Sequence, residues 1–231
     1  MARIAIATIK SWNISNYHIW AKQTEHKNLL IQTPDELSSK VLEKFEPDYI
    51  FFPHWSYKIP AEVYEKYECV VFHMTDLPFG RGGSPLQNLI SRKLYETKIS
   101  ALRVVEAMDA GPIYLKRPLF LYGSATEIYI RASQIIFDML DEIVELRLQP
   151  VAQTGEIVEF ARRKPAESQI LNSKDLIELY DFIRMLDAES YPSAFLVHEG
   201  IRYEFTRATL RDGYIMADVK ISLTNALEKI K

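Results

Sequence analysis

Cysteine is nearly absent, with Cys69 the only one in 231 residues. A disulfide framework and a cysteine-based zinc site are thereby excluded. The setting of that residue, Cys69-Val70-Val71-Phe72, reads as a buried, inert thiol. Basic excess is also lacking. The 28 Lys and Arg stand against 31 Asp and Glu, a net charge of −3, which counts against a general nucleic-acid binder. No 18-residue apolar run occurs and the N-terminus has no leader-like apolar segment, so a cytoplasmic protein with no membrane partner is expected. Glycine is scarce, at 8 residues. None of them builds a Gly-x-Gly-x-x-Gly turn after the first strand, a Lys-Ser/Thr phosphate loop or a Gly-x-Ser-x-Gly elbow, which sets aside nicotinamide oxidoreductases, nucleoside triphosphatases and serine esterases. The five histidines, His18, His26, His54, His73 and His198, have no helical metal spacing, and no metal is expected.

What the chain does have is ordinary globular material: 48% of its residues are hydrophobic and 26% charged. At ~150 residues per domain the length suggests one main domain with an appendage. Four short apolar runs, Ile4-Ala5-Ile6-Ala7, Leu29-Leu30-Ile31, Tyr49-Ile50-Phe51-Phe52 and Val70-Val71-Phe72, suggest strands buried on both faces. An amphipathic helix is expected from Pro34 to Phe45. Strand alternating with helix implies an α/β fold, Rossmann-like, with a mostly parallel twisted sheet. Residues 99–121 read as a hairpin-like strand pair broken at Asp109-Ala110-Gly111-Pro112, and Ser124 to Leu148 reads as one long helix with a capping box at Ser124 and Glu127. From 150 the character changes to short strands around a helix at Asp175–Leu186. The expected division is a catalytic domain over 1–149 and a small C-terminal α+β subdomain over 150–231.

The irregular stretch at 73–83 follows the fourth strand and precedes Ser84-Pro85-Leu86-Gln87, a helix-start signature of N-cap serine, proline and glutamine. The carboxyl end of a buried strand is where open α/β sheets bind ligands. His73 at that strand end is either catalytic or a structural histidine bonded to loop carbonyls. Asp109 is either its partner across the sheet end or a plain turn residue. Lys10, Trp12 and Asn13 follow the first strand at the same edge, where they could meet a sugar or phosphate at a helix N-terminus or form an ordinary loop.

His73-Met74-Thr75-Asp76-Leu77-Pro78-Phe79-Gly80-Arg81-Gly82, followed by Met108-Asp109-Ala110-Gly111-Pro112-Ile113, resembles the two motifs of the formyltetrahydrofolate-dependent formyltransferase family. These are Asn-x-His-x-Ser-Leu-Leu-Pro with a following Arg/Lys-Gly pair, and Asp-x-Gly-x-Ile/Met. The resemblance spans roughly residues 1–147 by element order. It implies an enzyme that holds 10-formyltetrahydrofolate beside the 73–82 loop, against Trp55, Tyr57, Leu77, Pro78 and Met108, with Arg81 toward the acceptor. The family's catalytic histidine and aspartate map to His73 and Asp109. Its asparagine maps to Val71, which supplies no donor to the oxyanion of a tetrahedral intermediate, a loss that typically costs ~3 kcal/mol. His54, at the end of the neighbouring strand, is the expected substitute, with Thr75 or a water next; the alternative is a histidine that lines the folate pocket.

The tail, with Phe160-Ala161-Arg162-Arg163-Lys164-Pro165 and Phe182-Ile183-Arg184-Met185-Leu186 before Tyr191-Pro192-Ser193-Ala194-Phe195, is similar to that of sugar N-formyltransferases. The resemblance therefore implies a nucleotide-linked deoxyamino sugar as acceptor, with Arg162 and Arg163 on its diphosphate, no nucleic-acid partner, and a role in polysaccharide biosynthesis. It leaves room for a homodimer. The alternatives within it are a methionyl-tRNA or other-amine formyltransferase, or a catalytically silent folate- or sugar-binding homologue with Val71 as the cause.

Overall fold

A computed structural model describes residues 1–224. The described residues form two compact units: Met1–Gly82 with Glu96–Leu119 and Tyr129–Phe160, and Gly83–Tyr95 with Phe120–Ile128 and residues 161–224.

The first unit is built on β1 (Arg3–Ala7), α1 (Ser11–Gln23), β2 (Lys27–Ile31), α2 (Ser39–Phe45), β3 (Tyr49–Phe52), α3 (Ala61–Tyr64) and β4 (Cys69–His73). β5 (Phe79–Gly82) follows, and after α4 (Pro85–Ser91) come β6 (Glu96–Arg103), β7 (Ile113–Phe120), α5 (Ala125–Glu145) and β8 (Val158–Phe160). Six strands make the central sheet in the order β2-β1-β3-β4-β6-β7. The four apolar runs are its parallel strands, and β6 joins β4 antiparallel, His73 opposite Ser100. The fold class is thus the mainly parallel α/β sheet that continuous apolar runs imply. Ile4, Ile6, Ile31, Ile50, Phe51 and Phe52 lie in the core, each at most 1% exposed. The strand order reverses between β1 and β3, the kind of switch point beyond whose carboxyl ends open α/β sheets bind ligands.

Two helices differ from expectation at their starts. α2 begins at Ser39 rather than Pro34, because residues 34–37 close a turn, with Leu37 N–H on Pro34 O. α4 starts at Pro85 as expected, but without the capping box. Ser84 lies in the left-handed region, its Oγ accepts from Arg163 N–H, and the Gln87 amide donates to Met185 O. α5 has the expected box: Glu127 N–H donates to Ser124 Oγ and the Glu127 carboxylate takes Ser124 N–H.

The second unit holds α4, a 3-10 turn at Pro165–Ser168, α6 (Leu176–Arg184) and an antiparallel sheet of β9 (Ala194–His198), β10 (Ile201–Arg211) and β11 (Tyr214–Leu223) in the order β11-β10-β9. Asp175 caps α6 through Glu178 N–H at 2.8 Å. The fold subsists without disulfide: Cys69 is buried, and burial with the Glu68 charge pushes its thiol up to about 12. Among the described residues no helix is long and apolar enough to cross a membrane.

Candidate active site

β4 delivers His73 to the sheet's carboxyl end, where the side chain is buried. Its Nε2 donates to Gly80 O at 2.7 Å, and its Nδ1 stands 3.5 Å from Asp109 Oδ2. Each ring nitrogen therefore faces an acceptor, and a ring that carries both protons forms an ion pair with Asp109. The same Asp109 oxygen accepts Gly82 N–H at 2.9 Å. Antiparallel pairing explains the meeting: β6 runs back beside β4, and the turn after it returns Asp109 toward the β4 end.

The loop that follows His73 is pinned on both sides. Ser100 Oγ donates to Thr75 O at 2.7 Å, and Thr75 Oγ1 donates to Gly80 O at 3.3 Å. The Lys116 ammonium donates to Asp76 and to Leu77 O, and Lys98 lies 2.9 Å from Asp76. Burial works against the charge of Asp76, but the hydrogen bonds from Lys116 and Lys98 outweigh it and hold the carboxyl below its ordinary value. Gly80 (φ +78) can only be glycine here, since a Cβ would sit 2.8 Å from both the Phe160 ring and Thr75 Cγ2.

His54 belongs to a different network. It follows β3 with φ +51, and its Nδ1 accepts from Trp12 Nε1 at 3.2 Å and Asn13 Nδ2 at 3.1 Å. The proton is then on Nε2, which faces Met74 Sδ at 3.2 Å. Its ring packs edge-on against Tyr129, on which Trp12 is stacked. Burial, then the Lys10 charge, pushes His54 down to about 4. The folded state thus refuses a proton that the unfolded chain takes up near its ordinary value of 6.5. Stability is full above that value and lost as pH falls toward 4, by about 3 kcal/mol. Urea unfolding from pH 4 to 7.5 checks this: the difference between wild type and His54→Gln should grow smaller on acidification, and parallel curves would refute it.

The remaining candidates are distributed unevenly. Lys10 follows β1, its ammonium 5.8 Å from the Trp12 ring centre, while Trp12 and Asn13 point into the unit and are buried. Asn13 Nδ2 also donates to Pro53 O at 3.0 Å. Leu77 and Pro78 are buried, and Trp55 rests against Phe52 and Tyr57. Tyr57 is 49% and Met108 75% exposed. Arg81 is held by Gln153. Arg162 and Arg163 lie in the second unit, with the Arg163 guanidinium on Glu167 O and beside the Phe182 ring. Val71 sits on the His73 side of β4, packed in the apolar group of Phe52, Trp55 and Val104. Sequence reasoning missed Gln153 and Lys116 as site residues, because each acts through a contact remote in the chain that no local pattern marks. The Gly80 carbonyl is the kind of loop carbonyl that the structural reading of His73 supposes.

The chemistry of these groups fits a formyl donor with a flat ring system: an imidazole backed by a carboxylate stands at the edge of an apolar group, and Trp55 Nε1 is a buried donor with no acceptor. Among the described residues no cluster of His, Cys, Asp or Glu could hold a metal ion.

Comparison with known proteins agrees with the two motifs. A solved methionyl-tRNA formyltransferase from Clostridium thermocellum superposes with a TM-score of 0.94 and 50% identity, over 96% of this chain and 100% of that one. The chain belongs to the formyltetrahydrofolate-dependent formyltransferase family. A methionyl-tRNA formyltransferase from Bacillus cytotoxicus is 32% identical over 181 residues, 74% of this chain and 56% of that relative. The chain thus spans little more than half the length of that curated relative. HypX from Aquifex aeolicus, solved with tetrahydrofolic acid, shares the fold at TM-score 0.77 and 16% identity, over 99% of this chain and 47% of that one. Residues 165–222 match the family model described as the C-terminal domain of methionyl-tRNA formyltransferase.

These findings overturn the sugar acceptor, and with it the nucleotide-sugar partner, the polysaccharide role and the exclusion of nucleic acid. One residue of the stretch that suggested a sugar enzyme, Arg184, is structural. Arg184 is 3% exposed and serves Asp181, Leu121 O and Gly123 O, so it reports how the C-terminal unit folds and not what it binds. A net charge of −3 is a sum over the whole surface and says nothing of a local patch.

Proposed function

We propose that the chain is a cytoplasmic formyltransferase that moves the formyl group of 10-formyltetrahydrofolate to the methionyl amine of methionyl-tRNA. The observation that supports the transfer chemistry is His73 set between Gly80 O and the Asp109 carboxylate. The acceptor rests on the kinship with methionyl-tRNA formyltransferases.

The folate supplies an activated formyl carbon. The amine forms a bond to that carbon, the bond from carbon to the folate nitrogen breaks, and one proton passes from the amine to the departing nitrogen. With Nε2–H committed to Gly80 O, His73 takes and returns this proton at Nδ1, and Asp109 steadies the ring while it is charged. The Gly80 carbonyl fixes the ring's other edge, so its orientation is set before the amine arrives. Val71 adds no donor and both ring nitrogens of His73 face protein acceptors, so the developing oxyanion depends on what the substrates bring.

The test is formyl transfer to methionyl-tRNA, followed by acid-stable formyl label on the aminoacyl end. Formylmethionyl-tRNA should form, with kcat/KM falling steeply as salt rises, because phosphate contacts release counterions. Absence of label on methionyl-tRNA would overturn the acceptor. Absence of tetrahydrofolate release with any amine would overturn the transfer.

A further inference from the structure

The turn that presents Asp109 is locally uphill. Asp109 adopts φ +52, in the left-handed region that only glycine enters freely. Two residues on, the chain runs so close to β6 that a Cβ on Gly111 would sit 1.8 Å from Arg103 O. Inside the turn, Ala110 N–H reaches Ala107 O at only 3.3 Å.

One side chain from a distant segment holds this turn. Gln153 Nε2 donates to Asp109 O and to Gly111 O, both at 2.8 Å. Its Oε1 accepts from Arg81 Nε at 3.2 Å and Nη2 at 2.8 Å. The amide has one workable orientation, since a guanidinium only donates and carbonyls only accept. The backbone delivers it there: Val151 exchanges both hydrogen bonds with Ile113, so residues 151–153 run alongside the start of β7, next to the turn. Gln153 thus bridges the two chain segments whose ends meet at the site, Arg81-Gly82 and 109–111, and it does so beside the bond from Gly82 N–H to Asp109.

We propose that Gln153 is a positioning residue for formyl transfer: its amide fixes the 109–111 turn so that the Asp109 carboxylate faces His73. This rests on the formyltransferase reading above. Gln153 is half-buried and touches neither ring nitrogen of His73, so its effect on chemistry passes through Asp109.

Two substitutions separate the possibilities. Gln153→Leu removes every hydrogen bond. Gln153→Glu keeps the acceptor for Arg81 and loses the donor to both carbonyls. Both should lower kcat by roughly 10- to 100-fold, as small displacements of a catalytic group do, with KM for 10-formyltetrahydrofolate within about threefold of wild type. In both, exchange of the Gly82 amide should quicken by about tenfold, since its acceptor is no longer held. A Gln153→Glu enzyme with wild-type kcat and wild-type Gly82 exchange would overturn the proposal and leave Gln153 a support for Arg81 alone. Should the wild-type chain transfer no formyl group, Gly82 exchange still decides: faster exchange in both variants keeps Gln153 as the holder of the turn, and unchanged exchange removes it.

Discussion

Replacing His73 by alanine is expected to lower kcat for formyl transfer by about 10²–10⁴, the usual loss for a group that moves a proton in the transition state. KM for 10-formyltetrahydrofolate should stay within about threefold, because the loop that bears His73 does not depend on it. Ser100 still holds Thr75, Lys116 still holds Asp76 and Leu77 O, and Asp109 keeps the Gly82 N–H. His73→Gln tests the point further, since its amide can still donate to Gly80 O but cannot take up the amine's proton. If His73 worked only by bracing the loop, His73→Gln would recover most of the activity. If it moves the proton, His73→Gln should stay within about tenfold of His73→Ala. Steady-state rates with folate and acceptor varied in turn separate the two. A His73→Ala enzyme within threefold of wild type would remove His73 from the chemistry.

Position in the chain left the pairing of His73 with Asp109 open, and only the family motifs favoured it over a plain turn residue. The residues are 36 positions apart, and nothing local says that β6 turns back antiparallel beside β4. The strands of the parallel sheet were legible without help, because burial on both faces leaves continuous apolar runs such as Tyr49–Phe52. α5 was legible through its cap and its apolar stripe. Position at the sheet's carboxyl edge could also be inferred for His54, Trp12 and Asn13, but not the direction of their side chains, which turn toward one another and make a closed neutral network. The long hairpin was only half visible. β10 runs to Arg211 and β11 returns from Tyr214, and most of their side chains are partly or fully exposed. A ribbon wet on both faces leaves no strict alternation to detect. The acceptor was misread for a related reason: Ile183-Arg184-Met185-Leu186 serves the interior of the C-terminal unit and carries no information about the amine.

That interior role makes Arg184 the residue whose loss should cost the most stability. Its guanidinium donates to Asp181 Oδ1, Leu121 O and Gly123 O, each at 2.7 Å, and lies 5.7 Å from the ring centre of Tyr95 and 5.6 Å from that of Tyr180. Asp181, 7% exposed, also accepts the Tyr95 hydroxyl at 2.7 Å. That hydrogen bond is the first cause, ahead of burial, that pushes the Tyr95 hydroxyl up to about 12. Arg184→Ala would leave a buried carboxylate with one neutral donor and strand a buried carbonyl at Leu121 and a half-buried one at Gly123, for an expected loss of 3–5 kcal/mol, about the usual cost of breaking a buried pair. The net worth of the pair is smaller than that, because both charges are desolvated to make it. Replacing both partners, Asp181→Leu with Arg184→Met, should therefore cost less than Arg184→Ala alone, since the stranded charge goes with its partner. Urea unfolding of the single and double variants measures the difference. A double variant at least as unstable as the single would show that the stranded carboxylate is not the main cost, and that the guanidinium's bonds to Leu121 O and Gly123 O, lost in both variants, carry the loss.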